Sequence, residues 1–325
     1  MATNDQYRTF HGLEAADIPP EIFDRGANPM FAYGDLDDNT RGEQLMRDAS
    51  YNNRWAVPGH MADLERWAAQ SEAVRAAVEC RLDIPYGTAD REKIDILYPE
   101  RSGPVPLIIF LHGGYWMSMT KESYSFIGEH FVGAGAAFAV VGFGLCPDIS
   151  LGHLLGQVEN AIAHLWDQAD GYGLDRERFY LAGHSSGGHL AAMVLGGGVS
   201  GNPAVPPETF KASVIVSGLF DLAPIAKTYI NNYIALDEKG VRDLSPSHRL
   251  PPAGKRMGPI ILGTGEHELA EYHLHQSRYA AALADNGHAV QICDATGYQH
   301  FDVPHDLANR DGALHRAFLT SMEMD

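Results

Sequence analysis

The sequence predicts an α/β protein: a mostly parallel, doubly wound sheet with helices on both faces and an N-terminal helical extension. Three observations carry this. Short uninterrupted apolar runs recur along the chain, as they do in strands buried on both faces. Amphipathic helical patterns lie between them, and strand–helix alternation of this kind builds a parallel sheet. A chain of 325 residues, 45% of them hydrophobic, can also bury the core such a sheet needs.

In chain order, residues 1 to about 55 read as irregular, punctuated by Pro19-Pro20, Asn28-Pro29, Gly34-Asp35 and Asp37-Asp38-Asn39. Leu64, Trp67, Val74 and Val78 then recur at helical spacing, so one amphipathic helix is expected over 62–78. Residues 1–80 are therefore an extension packed on a main domain of residues 81–325. Ile94, Ile96 and Tyr98 alternate with polar residues, the pattern of a half-buried strand near a sheet edge. Buried strands are expected at 107–111, 138–141, 179–182, 214–216, 260–262 and 290–292. Helical patterns fill 151–166, 189–195 and 272–283.

Composition removes several function classes. Lys and Arg number 24 against 42 Asp and Glu, a net charge of −18. Nucleic acid and anionic membrane surfaces both need clustered positive charge, so neither is an expected partner. Cys80, Cys146 and Cys293 are far apart with no C-x-x-C pair, which argues against disulfides or a thiolate metal site and fits a reducing compartment. The N-terminus shows no apolar leader, and the longest uncharged stretch, 133–147, is too short to span a membrane. A cytoplasmic protein without metal or organic cofactor is the expectation.

In a parallel sheet the chemistry sits at the carboxyl ends of the strands. The run 179–182 leads into Gly183-His184-Ser185-Ser186-Gly187-Gly188 and then a helix, a nucleophile elbow in strand–turn–helix context. The flanking glycines permit the tight turn that lifts the Ser185 hydroxyl above the sheet. The run 107–111 ends in His112-Gly113-Gly114-Tyr115-Trp116. Backbone N–H groups of Gly113, Gly114 and Tyr115, with that of Ser186, are the expected oxyanion hole. A serine nucleophile needs a base, and the base an orienting acid, in the chain order Ser, acid, His. Among 16 histidines, His300 alone follows the last strand at the position a base requires. Glu268, after the strand at 260–262, is the chosen acid; Glu266 in the same loop and Asp221 after 214–216 remain open. Two decoys fail on geometry: His267-Glu268 lacks the second histidine of a zinc site, and Gly133-Ala134-Gly135 precedes its strand instead of following it.

Together these motifs resemble the kynurenine formamidase (arylformamidase) type of α/β-hydrolase. His112 to Trp116 is similar to its HGGYW oxyanion motif. Gly183 to Leu190 is similar to its GHSAGAHL elbow, with Ser186 replacing Ala. Ser217 to Ile225 resembles SGxFDLxPI, and Gly265 to Tyr272 resembles G-x-x-D-S-P-E-F. The last match sets Glu268 where the family has its catalytic Asp, a departure of one methylene. The resemblance implies an α/β-hydrolase fold from about Asp83 onward and a cap-like segment over about 222–256. It also implies a serine hydrolase acting on an aryl formamide or a related small amide, such as N-formylkynurenine. Trp116, Phe220 and Tyr229 are then expected walls of an aromatic pocket. A broad-range carboxylesterase using the same site is the alternative. A catalytically silent binding module is disfavoured, because it has no need of nucleophile, base, acid and hole together. The region of Trp55 and Trp67 is a possible homodimer surface.

Overall fold

The computed structural model describes residues 38–100, 102–199, 205–254 and 257–324; the irregular reading of residues 1–37 lies outside them. Eight strands form one sheet: β1 (Glu79–Pro85), β2 (Lys93–Tyr98), β3 (Val105–Leu111), β4 (Ala137–Val141), β5 (Leu174–His184), β6 (Phe210–Val216), β7 (Ile260–Gly265) and β8 (Val290–Ala295). Their order is β1-β2-β4-β3-β5-β6-β7-β8. The β1–β2 and β2–β4 pairings are antiparallel and every later pairing is parallel.

Period-two alternation sends β3 into two cores. Leu107, Ile109 and Leu111 pack on one face with the helices Leu151–Asp167, Ser186–Leu195 and Ala270–Asp285. Ile108 and Phe110 pack on the other with the helices His60–Ala77 and Ala313–Ser321. These layers are the expected doubly wound arrangement. The register aligns the strand ends that carry function: Leu111 lies opposite Gly183, His184 opposite Val216, Val216 opposite Gly263 and Gly265 opposite Ala295. The loops after β3, β5, β6, β7 and β8 thus emerge along one edge of the sheet.

The structure differs from the sequence expectation in four places. Residues 38–49 are a helix, Asp38–Ala49, where irregular chain was expected. Tertiary contacts fix it: Tyr229 donates its backbone N–H to Asp48 Oδ1 at 2.7 Å, and Gln44 Nε2 donates to the Lys227 carbonyl at 2.8 Å. The strand at 94–98 is interior and fully buried, because β1 covers it. Its polar member Asp95 is buried against Lys121 Nζ at 2.7 Å, so alternation there reflects a buried ion pair and not a wet face. At the other end β8, expected to be buried, is the open edge and is largely exposed. Trp67, named for a dimer surface, is instead buried against Tyr124 and Phe126 in the second core; Trp55 is half-buried.

Between β6 and β7 the chain folds as short helical turns, among them Asn231–Ile234 and Glu238–Leu244. Among the described residues, no helix is long and apolar enough to cross a membrane.

Candidate active site

β5 ends at His184 and the helix Ser186–Leu195 begins two residues later, leaving Ser185 as the turn between them. Ser185 has φ 57° and ψ −122°, a conformation L-residues adopt only under constraint. The constraint is visible. Its N–H donates to the Val216 carbonyl at 2.8 Å, and its own carbonyl accepts the His189 N–H at 3.1 Å. A Cβ on Gly187 would run into the Leu111 carbonyl, so only glycine lets the helix start lie directly against the end of β3.

The loop after β3 turns with equal sharpness. Gly114 has φ 115°, and Tyr115 and Trp116 follow at 50° and 61°. A side chain on Gly114 would strike the Ser118 carbonyl. Gly113 is a close neighbour of the nucleophile: a Cβ there would stand 3.2 Å from that of Ser185. The Ser186 amide opens its helix and so belongs to the first-turn N–H groups that lack an intrahelical acceptor. Trp116 N–H donates to Ser186 Oγ at 3.3 Å, which ties the two loops together. Gly113 and Ser186 thus flank Ser185.

His300 Nε2 lies 3.1 Å from Ser185 Oγ, and its Nδ1 lies 2.6 Å from Glu268 Oε2. Three residues far apart in sequence converge in one hydrogen-bonded line. Glu268 Oε1 accepts the Gly265 N–H at 2.8 Å and the Ser217 hydroxyl. Its longer side chain is thus fixed at three points, and the extra methylene does not leave it loose. Ser217 sits at the end of β6 with φ 53°, pinned by its N–H to the Gly263 carbonyl at 2.7 Å. The rival acids are employed elsewhere: Glu266 Oε2 accepts the Gly297 N–H at 2.9 Å, and Asp221 Oδ1 accepts the Ala223 N–H at 2.9 Å.

The line is dry. Ser185 is 2% exposed, His300 5% and Glu268 8%, so each of its hydrogen bonds acts at low local dielectric. His184, whose ring is 4.9 Å from that of His300, has its pKa pushed far down by burial and by that neighbour. Burial thus disfavours a second positive charge beside His300. His112 stacks on Phe143 at 4.1 Å, and burial lowers its pKa to about 4.

Of the expected pocket walls, Trp116 is a correction. Its indole is 1% exposed and donates to His189 Nδ1 at 3.1 Å, so it belongs to the core. Phe220 stacks on Tyr279 at 4.1 Å, and both rings line a cavity of about 470 Å³ with Tyr51, Asp221, Glu271 and His275. Tyr229 is half-buried and anchors the helix Asp38–Ala49 through its amide. Composition and spacing did not single out Tyr272. Its ring lies 4.7 Å from that of His300, and its hydroxyl contacts Tyr115 and Asn53.

With this geometry established, the relatives of the chain are informative. A zebrafish (Danio rerio) kynurenine formamidase is 30% identical over 252 residues, covering 77% of this chain and 84% of its own. The Salmo salar enzyme of the same name is also 30% identical, over 78% and 85%. The chain belongs to the kynurenine formamidase family. It is a hydrolase of the serine α/β type. Residues 94–228 also match the family model BD-FAE. A solved Silicibacter protein, provisionally assigned as a thioesterase, superposes with a TM-score of 0.69 at 29% identity, over 82% of this chain and 96% of that one. Esterase B of Lactobacillus rhamnosis, at 18% identity and TM-score 0.65 over 83% and 95%, shares the fold.

Proposed function

We propose that this hydrolase cleaves an aryl formamide of the N-formylkynurenine kind through Ser185, His300 and Glu268. One observation carries the reading: the continuous line from Glu268 through His300 to the Ser185 hydroxyl, beside the glycine loop after β3. The names of the zebrafish and salmon relatives support the choice of substrate class.

The chemistry follows from the positions. His300 Nε2 accepts the Ser185 proton as the oxygen attacks the formyl carbon, and Glu268 holds the imidazole in the required tautomer and stabilises its charged form. Negative charge forming on the formyl oxygen is met by backbone N–H groups of Gly114, Tyr115 and Ser186. The C–N bond breaks as His300 returns its proton to the aniline nitrogen, leaving a formyl ester on Ser185. A water molecule, deprotonated by the same imidazole, releases formate and restores the hydroxyl. The turns over 222–256 act as the cap, with Phe220 and Tyr229 next to the aromatic part of the substrate.

The test compares kcat/KM on N-formylkynurenine, formanilide and a p-nitrophenyl acetate-to-butyrate series, with Ser185→Ala as control. The proposal expects formamides to be preferred and the variant to be inactive. Short aryl esters winning by orders of magnitude, with formamides barely touched, would establish the carboxylesterase reading instead.

A further inference from the structure

We infer that the Tyr272 hydroxyl oxygen accepts a hydrogen bond from the N–H of the scissile amide and so sets the preference of this site for amides over esters. The inference rests on the proposal that Ser185 is the nucleophile, and it deepens that reading.

The protons available fix which group donates at each contact. Tyr272 stands in the first turn of the helix Ala270–Asp285 and is fully buried. Its hydroxyl is 2.7 Å from Asn53 Nδ2 and 2.7 Å from the Tyr115 hydroxyl. Tyr115 in turn donates to the Tyr51 carbonyl. A carbonyl can only accept, so the single proton of Tyr115 is committed there. Across the Tyr115–Tyr272 pair, Tyr272 must then be the donor. The Asn53 amide supplies the proton for the third contact. Three contacts receive three protons, and turning the Asn53 amide over would leave two phenol oxygens facing each other with none between them. Burial raises the pKa of both phenols, so neither is lost as phenolate.

The consequence falls on Ser185. The Tyr272 ring lies 4.7 Å from that of His300, beside the nucleophile, yet its hydroxyl proton points away, toward Tyr115. What it presents to the nucleophile is a lone pair. The Ser185 proton is required by His300 Nε2, 3.1 Å away, so this acceptor is left for the substrate. An anilide brings an N–H beside the carbon that Ser185 attacks. An aryl ester brings an oxygen lone pair to the same place, and two lone pairs facing each other disfavour its transition state.

A matched pair decides it: formanilide and phenyl formate share the acyl group and the ring and differ only in N–H against O. For Tyr272→Phe, kcat/KM on formanilide falls about tenfold, the loss of one buried hydrogen bond, while the value on phenyl formate rises as the facing lone pair is removed. Should Tyr272→Phe not fold, Tyr115→Phe reads the same claim. Removing the acceptor of the Tyr272 proton frees that proton to turn toward the site, and the formanilide to phenyl formate ratio drops. An unchanged ratio in the folded variant, whether both rates fall together or neither moves, overturns the inference. Activity surviving Ser185→Ala, or no formanilide cleavage by wild type, instead overturns the parent reading.

Discussion

The two halves of the site are built differently. The proposed nucleophile, acid and base stand on turns after β5, β7 and β8, and Ser185 and Glu268 are each fixed by bonds within a few residues or to the adjacent strand end. The Tyr115–Tyr272–Asn53 chain reaches across the molecule: Asn53 and Tyr272 are 219 positions apart. It depends on how the segment at 51–53 is docked. Catalytic power thus resides in local turn geometry that the sheet imposes. Selectivity resides in a long-range contact that could change while the turns stay intact.

Mutations separate the halves, in descending order of effect. Ser185→Ala is expected to lower kcat by roughly 10⁴-fold or more, measured on N-formylkynurenine, with an unchanged melting temperature. Glu268→Gln keeps the shape but loses the charge that fixes the His300 tautomer, with an expected loss on the order of 10³–10⁴-fold in kcat. Glu266→Gln, which touches Gly297 and not His300, stays within a few-fold; the reverse ranking would move the acid. Ser217→Ala removes one hydrogen bond to the buried carboxylate and should cost about tenfold in kcat with little change in KM, because it acts through Glu268 alone.

The smallest effect is thermodynamic and lies in the docked segment. Asp48 is buried, and its Oδ2 has no partner among the described residues. Burial raises its pKa from 3.8 to about 6. A carboxyl whose folded pKa is raised binds its proton more tightly when folded, so its contribution to stability declines as pH rises from about 4 to about 6 and stays low above that. Asp48→Asn retains an acceptor for the Tyr229 amide and removes the buried charge. It is expected to stabilise the protein by on the order of 2 kcal/mol at pH 7, with the gain vanishing near pH 4 in urea titrations. Formamidase activity at neutral pH should be unchanged.

The same division explains what the sequence made legible. Glycine spacing and apolar runs reported the elbow, the loop after β3 and the order of elements, because those features are local. His300 could be chosen by its place after the last strand, and Glu268 from three acids by its loop. Ser217 could not be singled out, since a serine after a strand carries no signal until Glu268 is seen leaning on it. Tyr272 and Asn53 read as ordinary helix and turn residues, and only tertiary contact gives them a role. Trp116 misled for a related reason: an aromatic beside the glycine loop suggests a pocket wall, but the positive φ of residues 115 and 116 accompanies an indole turned onto His189. The helix Asp38–Ala49 was hidden by its weak helix formers, Thr40 and Gly42 among them, and by its dependence on Asp48 and Gln44 docking to the turns after β6.

Ser185, activated by His300, is expected to become covalently acylated. Intact-mass analysis after reaction with an aryl fluorophosphonate, followed by peptide mapping, tests it most directly. The account predicts one adduct per chain, located on Ser185, and labelling slowed by orders of magnitude in His300→Ala. Undiminished formamide hydrolysis by an enzyme that takes up no label, or an adduct on another residue, contradicts it.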